Sequence, residues 1–297
     1  MSGYAADHVE TRFVTVGDVR YAYRRTGPQG DVPLLLANRF RGTMDHWDPA
    51  LLDVLAERRD VVVFDNAGVS LSSGAAASTI EGMAATLAEF AEAVGLTRYD
   101  LLGWSMGGMV AQSVALQRPA SVRRLVVAGS GPGRVPGTPP RPAAAAEVSG
   151  RAVNTAEDFL YLFFPDTPRA RALGRQSLMR LQTRLDTSHA TVGPAAVAAQ
   201  QAATQRWHGD RGGTWEHLDR LELPVLVANG AHDVVVPAYQ SYAMSQRLPQ
   251  AKVVLYSDAG HAFLFQHAAD VGSTILDFLE APDEPTLPHT HPTRSTP

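Results

Sequence analysis

Leu101-Leu102-Gly103-Trp104-Ser105-Met106-Gly107-Gly108-Met109-Val110 is the stretch whose reading decides the fold. It holds a G-x-S-x-G match at residues 103–107. Before it, residues 98–102 form a short run that predicts a buried strand. After it, residues 106–118 are apolar and alanine-rich, and Pro119 stops them, which predicts a helix. A strand, a sharp turn with serine at its tip, then a helix is the geometry of a nucleophile elbow. Ser105 must take a strained backbone conformation to project its hydroxyl. So tight a turn leaves no room for a Cβ at Gly103 or Gly107. The free N–H groups at the start of the following helix point toward the same place and favour an oxyanion there.

Outward from this turn the chain alternates strands and helices. Residues 9–17 and 19–27 are β-rich and meet at Gly17-Asp18, a hairpin signal. Residues 33–38 and 61–64 are continuous apolar runs, the mark of strands covered on both faces. Residues 47–57 and 79–94 have helical periodicity. Residues 122–128 make another buried strand. Strands and helices in this order predict right-handed crossovers and a mostly parallel sheet. At residue 129 the pattern changes. Residues 131–142 are rich in glycine and proline and predict an irregular linker. Residues 143–221 then give helical patterns without a convincing strand, among them 156–164, 168–185 and 194–207. The strand rhythm returns at 224–229, followed by a helix over 237–248, a last strand over 252–256 and a last helix over 263–280. The expected layout is a core of residues 1–130 and 222–280, an inserted helical segment of residues 131–221 and a disordered tail of residues 281–297.

Composition excludes several classes. The chain has 297 residues, 45% of them hydrophobic, so a large core needs no covalent staple. A net charge of −4 with no basic cluster argues against a nucleic-acid partner. With no cysteine, disulfides, thiolate chemistry and cysteine-held metals are excluded. Residues 1–10 lack the basic and apolar regions of a signal peptide, and no apolar run is long enough for a membrane span. The expected location is the cytoplasm, as a monomer or homodimer.

A serine hydroxyl attacks a carbonyl only when a base takes its proton and an acid orients that base. A base in this layout belongs in a loop just past the last strand. Of ten histidines, His261 in Ser257-Asp258-Ala259-Gly260-His261-Ala262-Phe263 stands there. His267 is expected inside the next helix, and His289 and His291 lie in the tail. The acid should leave the end of a strand between serine and histidine. Asp233 does so, just past Gly230-Ala231. Asp258 is the alternative, although it shares a tight loop with His261, where a turn role is expected. His232 is read as a loop residue.

At this point the chain resembles the α/β-hydrolase superfamily over residues 9–280. The matching pieces are Gly-Trp-Ser-Met-Gly-Gly at 103–108, Asn-Gly-Ala-His-Asp at 229–233 with Val-Pro at 236–237, and Gly-His-Ala-Phe at 260–263, in the order serine, acid, histidine. The resemblance implies an eight-stranded, mostly parallel sheet flanked by helices, with a helical cap after the sixth strand. It also implies catalytic roles for Ser105, Asp233 and His261, and an oxyanion hole from the backbone N–H groups of Phe40 and Met106. Two places depart from the family pattern. Where many members carry His-Gly after the third strand, this chain has Asn38-Arg39-Phe40-Arg41-Gly42; Arg39 is read either as a positive charge at the pocket mouth, suited to an acidic substrate, or as a surface residue. In Asp65-Asn66-Ala67-Gly68-Val69-Ser70-Leu71-Ser72, Ser70 replaces a glycine of the family's D-x-x-G-x-G-x-S loop.

Gly129-Ser130-Gly131-Pro132-Gly133 imitates a dinucleotide-binding turn, but Arg134-Val135-Pro136-Gly137 cannot start the helix that would receive a pyrophosphate. No phosphate loop and no H-E-x-x-H occurs, so neither cofactor nor metal is expected. Trp104, Phe163, Phe164, Phe263 and Arg39 are the expected substrate-binding residues. The expected activity is serine-dependent hydrolysis of an ester, lactone or thioester of a small, largely apolar molecule. Perhydrolysis, acyl transfer and a biosynthetic step use the same residues. A ligand receptor of the same fold is the reading from another class.

Overall fold

A computed structural model describes residues 3–188, 190–209 and 212–282. The expected tail lies outside the described residues, apart from its first two positions. The strands are β1 (Arg12–Val16), β2 (Val19–Thr26), β3 (Leu34–Ala37), β4 (Val61–Phe64), β5 (Tyr99–Trp104), β6 (Val122–Ala128), β7 (Val225–Gly230) and β8 (Ala251–Tyr256). They form one eight-stranded sheet in the order β1-β2-β4-β3-β5-β6-β7-β8. The β1–β2 and β2–β4 pairs are antiparallel and the others parallel. Every residue of β3, β4, β5 and β7 is buried, as continuous apolar runs require in a sheet covered on both faces. β8, at the edge, is largely exposed or half-buried.

The helices are α1 (Pro49–Ala56), α2 (Ile80–Ala93), α3 (Met106–Gln117), α4 (Ala143–Gly150), α5 (Ala156–Phe163), α6 (Pro168–Ser188), α7 (Pro194–His208), α8 (Tyr239–Ser245), α9 (Phe263–Gln266) and α10 (Ala268–Glu280). One face of the sheet packs on α2, α3 and α8; the other packs on α1, α9 and α10. Side chains cap the starts of α2 and α1. Thr79 accepts from the Gly82 N–H, and Asp48 accepts from the Ala50 N–H ahead of Pro49. The last helix differs from the expected single span. It breaks at His267, which leaves α9 as one turn under the site.

Between β6 and β7 the described residues contain α4–α7 and a short 3-10 turn at Trp215–Arg220, with no strand. Charge fastens this insertion to the core. The buried Asp48 carboxylate accepts from Ser177 Oγ at 2.6 Å and from Arg180 Nε and Nη2 of α6 at 2.7 Å each. One turn on, Arg184 lies 3.4 Å from Asp45, which also pairs with Arg24 at 2.5 Å. A carboxylate fully out of water is tolerated only when its lone pairs are met in this way.

Removing Asp48 leaves a half-buried guanidinium and a buried hydroxyl without their acceptor. Asp48→Ala is expected to cost about 3 to 5 kcal/mol of unfolding free energy, read from urea denaturation. A loss under about 1 kcal/mol would mean that α6 is not fastened through this group. Asp65 supplies a pH signature. Burial pushes its carboxyl up to about 6, against the opposing Met44 and Leu71 N–H donors. A folded-state pKa above the unfolded value favours the native state at low pH. That contribution fades as pH rises from about 4 to above 6, by up to ~3 kcal/mol. Urea midpoints between pH 4 and pH 7.5 should therefore show a stability decrease from this group that Asp65→Asn abolishes.

Candidate active site

The elbow is built by close approach. Ser105 has φ 57° and ψ −121°, left-handed backbone that costs a non-glycine residue on the order of 1–3 kcal/mol. Its N–H donates to Ala128 O at 2.9 Å, and its carbonyl accepts from the Gly108 N–H at 2.9 Å. A Cβ on Gly103 would lie 2.2 Å from Gly107 O, and one on Gly107 would lie 2.0 Å from Ala37 O. The first turn of α3 therefore presses on the end of β3, next to the loop that carries Phe40. Met106 is the first residue of α3, so its N–H has no partner within the helix. Among the described residues the Phe40 N–H also donates to no backbone or side-chain acceptor.

The β3 loop keeps a workable backbone despite its unusual sequence. Positive φ falls on Arg41, at 54°, and not on Arg39. Gln200 of α7, itself buried, accepts from the Arg41 N–H at 2.8 Å. The Arg41 guanidinium donates to Arg151 O at 2.8 Å. The insertion thus holds the loop in shape. Asn38 is tied on both sides, donating to Phe64 O and accepting from Trp47 Nε1. Ser70, in place of a glycine, takes φ 51°, and its N–H donates to Thr191 O.

On the other side of Ser105, Asp233 and His261 meet. His261 Nδ1 lies 2.6 Å from Asp233 Oδ2, and both side chains are almost fully buried. Asp233 Oδ1 accepts from the N–H groups of Val235 and Val236 at 2.7 and 2.8 Å. One carboxylate oxygen is therefore occupied by backbone while the other faces the imidazole. His261 O accepts from Trp104 Nε1 at 3.1 Å, so the residue before the elbow serine positions the histidine. Gly129 leaves space for the ring, since a Cβ there would sit 3.3 Å from His261 Nδ1. Asp258 turns away and pairs with His267 Nε2 at 2.8 Å.

Aromatic rings surround the imidazole. Trp104 and Phe163 lie 5.8 and 5.4 Å from His261 between ring centroids, and 5.7 Å from each other. Arg39 Cζ sits 5.6 Å from the Trp104 ring and 5.4 Å from the Phe163 ring. Of the expected pocket residues, Trp104, Phe163 and Arg39 share this cluster. Phe164 packs against Gly174 and Phe159 and borders a groove of about 690 Å³ beside His232 and Asp166. Phe263 is fully enclosed and stacks on Tyr256, so it supports the histidine loop from below. Phe265, edge-on to Trp104 at 4.7 Å, and Gln200 escaped the sequence reading; no local pattern marks contacts so distant in the chain.

A model of the alpha/beta hydrolase fold family matches residues 32–268. The chain belongs to that family. Pimeloyl-acyl-carrier-protein methyl ester esterase of Aromatoleum aromaticum is 33% identical over 189 residues, 60% of this chain and 72% of that one. The enzyme of the same name from Yersinia pseudotuberculosis is 27% identical over 271 residues, 88% of this chain and 98% of that one. Among solved structures, an alpha/beta hydrolase fold protein from Chitinophaga pinensis superposes with a TM-score of 0.85 at 31% identity, covering 93% of this chain and 98% of that one.

The two candidate acids separate experimentally. Asp233→Asn keeps the size of the side chain but cannot hold the same histidine tautomer. A loss on the order of 10⁴ in kcat on a p-nitrophenyl ester is expected, while Asp258→Asn should stay within about tenfold of wild type. A crippled Asp258→Asn beside an active Asp233→Asn would reverse the assignment.

Proposed function

We propose that this chain is a serine hydrolase that cleaves an ester, lactone or thioester of a small, largely apolar molecule. Ser105 Oγ attacks the carbonyl while His261 takes its proton. Asp233 holds the Nδ1–H tautomer and stabilises the imidazolium. The Phe40 and Met106 N–H groups receive the oxyanion. His261 then returns the proton to the leaving group, and water releases the acyl group from Ser105. Helices α4–α7 act as a cap over the site, with Phe163 as its contact on the imidazole.

The observation that carries the reading is the carboxylate–imidazole pair of Asp233 and His261 at strand ends, with two backbone donors fixing the carboxylate. Relatives named as methyl ester esterases support the ester class. Among the described residues no helix is long and apolar enough to cross a membrane. Cytoplasmic location and assembly as a monomer or homodimer belong to the same proposal. Light scattering on the purified protein reads the assembly.

A fluorophosphonate probe tests the nucleophile directly. Wild type should be labelled stoichiometrically, with the adduct on the peptide containing Ser105. Folded Ser105→Ala should not be labelled, and its hydrolysis of short p-nitrophenyl esters should drop by at least about 10³-fold. Labelling at another residue, or equal hydrolysis by the alanine variant, defeats the proposal.

A further inference from the structure

Several guanidinium groups in this protein sit against buried carboxylates. Arg24 pairs with Asp45, Arg25 with Asp60, Arg59 and Arg123 with Asp100, and Arg180 with Asp48. Arg39 breaks this pattern. Among the described residues no carboxylate lies within ion-pair reach of it. Its single hydrogen bond runs from Nη1 to Phe40 O at 2.8 Å. Nε is enclosed and has no acceptor. Nη1 is thus committed to the backbone, and the Nε–Nη2 edge of the guanidinium has no partner. That edge presents two parallel N–H donors, the geometry that receives a planar carboxylate in bidentate fashion. The group is held against the faces of Trp104 and Phe163, the two rings that also touch His261. It belongs to the residue next to Phe40, whose N–H is the proposed oxyanion donor.

We propose that Arg39 is an anion-recognition residue of this site, and that the substrate carries a carboxylate a few bonds from its scissile ester. The proposal rests on the hydrolase reading and narrows it to half-esters and comparable acid-bearing acyl compounds. The surroundings favour such a ligand over a fixed internal partner. Arg41 adds like charge and commits its own guanidinium to Arg151 O. His46, the titratable group beside Arg39, takes its pKa down to about 3 through burial and then the Arg39 charge. It stays neutral and adds no second positive charge beside Arg39. Burial, with Arg41 second, also draws the Arg39 guanidinium down to about 10, so it remains charged at neutral pH. An anion entering from solution relieves a cost that the empty site bears alone.

The experiment compares the monomethyl and dimethyl esters of succinate, glutarate and adipate as substrates of the purified protein. For the best chain length, kcat/KM of the half-ester should exceed that of the diester by about tenfold or more. Arg39→Gln should bring this ratio to about one, and Arg39→Lys, which keeps charge but not the fork, should leave it between the two. The ratio does not depend on the fraction of active protein, so partial misfolding of a variant does not distort it. Glutarate binding to Ser105→Ala, read by calorimetry, tests the anion site without turnover. It should be saturable and at least about tenfold weaker in Ser105→Ala/Arg39→Gln. Absence of half-ester preference in wild type, or a preference that survives Arg39→Gln, overturns the proposal even when fluorophosphonate labels Ser105. If wild type is neither labelled nor active on any ester, the hydrolase reading fails. Glutarate binding lost with Arg39→Gln then sustains the anion site, and no binding overturns it.

Discussion

Everything at the site depends on how closely the first turn of α3 approaches the ends of its neighbouring strands. Gly107 sits where a Cβ would be 2.0 Å from Ala37 O, and Gly103 where one would meet Gly107 O at 2.2 Å. Only with both glycines can α3 leave β5 at so sharp an angle. That angle forces Ser105 into its left-handed backbone and brings the orphan N–H of Met106 beside the β3 loop. The strain is held by packing. Ser105 N–H is bonded to β6, and α3 is buried over its first three turns. β5 also lies where the chain changes direction across the sheet, with β3 and β4 on one side and β6 to β8 on the other. A crevice opens at the carboxyl ends of strands around such a point, and Ser105, Asp233 and His261 all stand at that edge.

A second constraint joins the insertion to this core. The helices after β6 do not meet the core through apolar contact alone. Asp48 and Asp45, at the start of α1 and just before it, receive Ser177, Arg180 and Arg184 from one face of α6. Gln200 of α7 fixes the backbone of the loop that presents Phe40. The insertion thereby holds the β3 loop in shape. Movement of α6 would have to break buried charge pairs, and α5 is tied to the histidine loop by the Ala262 N–H, which donates to Phe163 O at 2.9 Å.

Much of this was legible in the sequence, for physical reasons that differ from residue to residue. Continuous apolar runs marked the buried strands, because a sheet covered on both faces admits no polar alternation. Gly103, Ser105 and Gly107 were legible together because one backbone geometry demands all three. The break at His267 was not, since apolar periodicity runs through α9 and α10 without a proline or glycine to mark it. Phe263 looked like a pocket residue by composition, yet three-dimensional packing turned it onto Tyr256, whereas Phe164 packs on Gly174 and also borders the groove beside His232. The pairing of Asp258 with His267 and of Asp48 with α6 joins positions that no local pattern relates. Arg39 was legible as a charge but not as an unpaired one, because a partner can come from anywhere in the chain.

That last distinction bears on how the site is tuned. An unpaired guanidinium beside a catalytic imidazole would ordinarily disfavour the imidazolium that forms during proton transfer. Here the charge lies across two aromatic rings, whose faces stabilise it, and the imidazole keeps its own carboxylate in Asp233. Asp233 in turn accepts from two backbone N–H groups through Oδ1, while Oδ2 faces the imidazole. Trp104 and Phe163 lie beside both the Arg39 guanidinium and the His261 ring. The imidazole is held by a carboxylate, and the guanidinium has no carboxylate partner among the described residues.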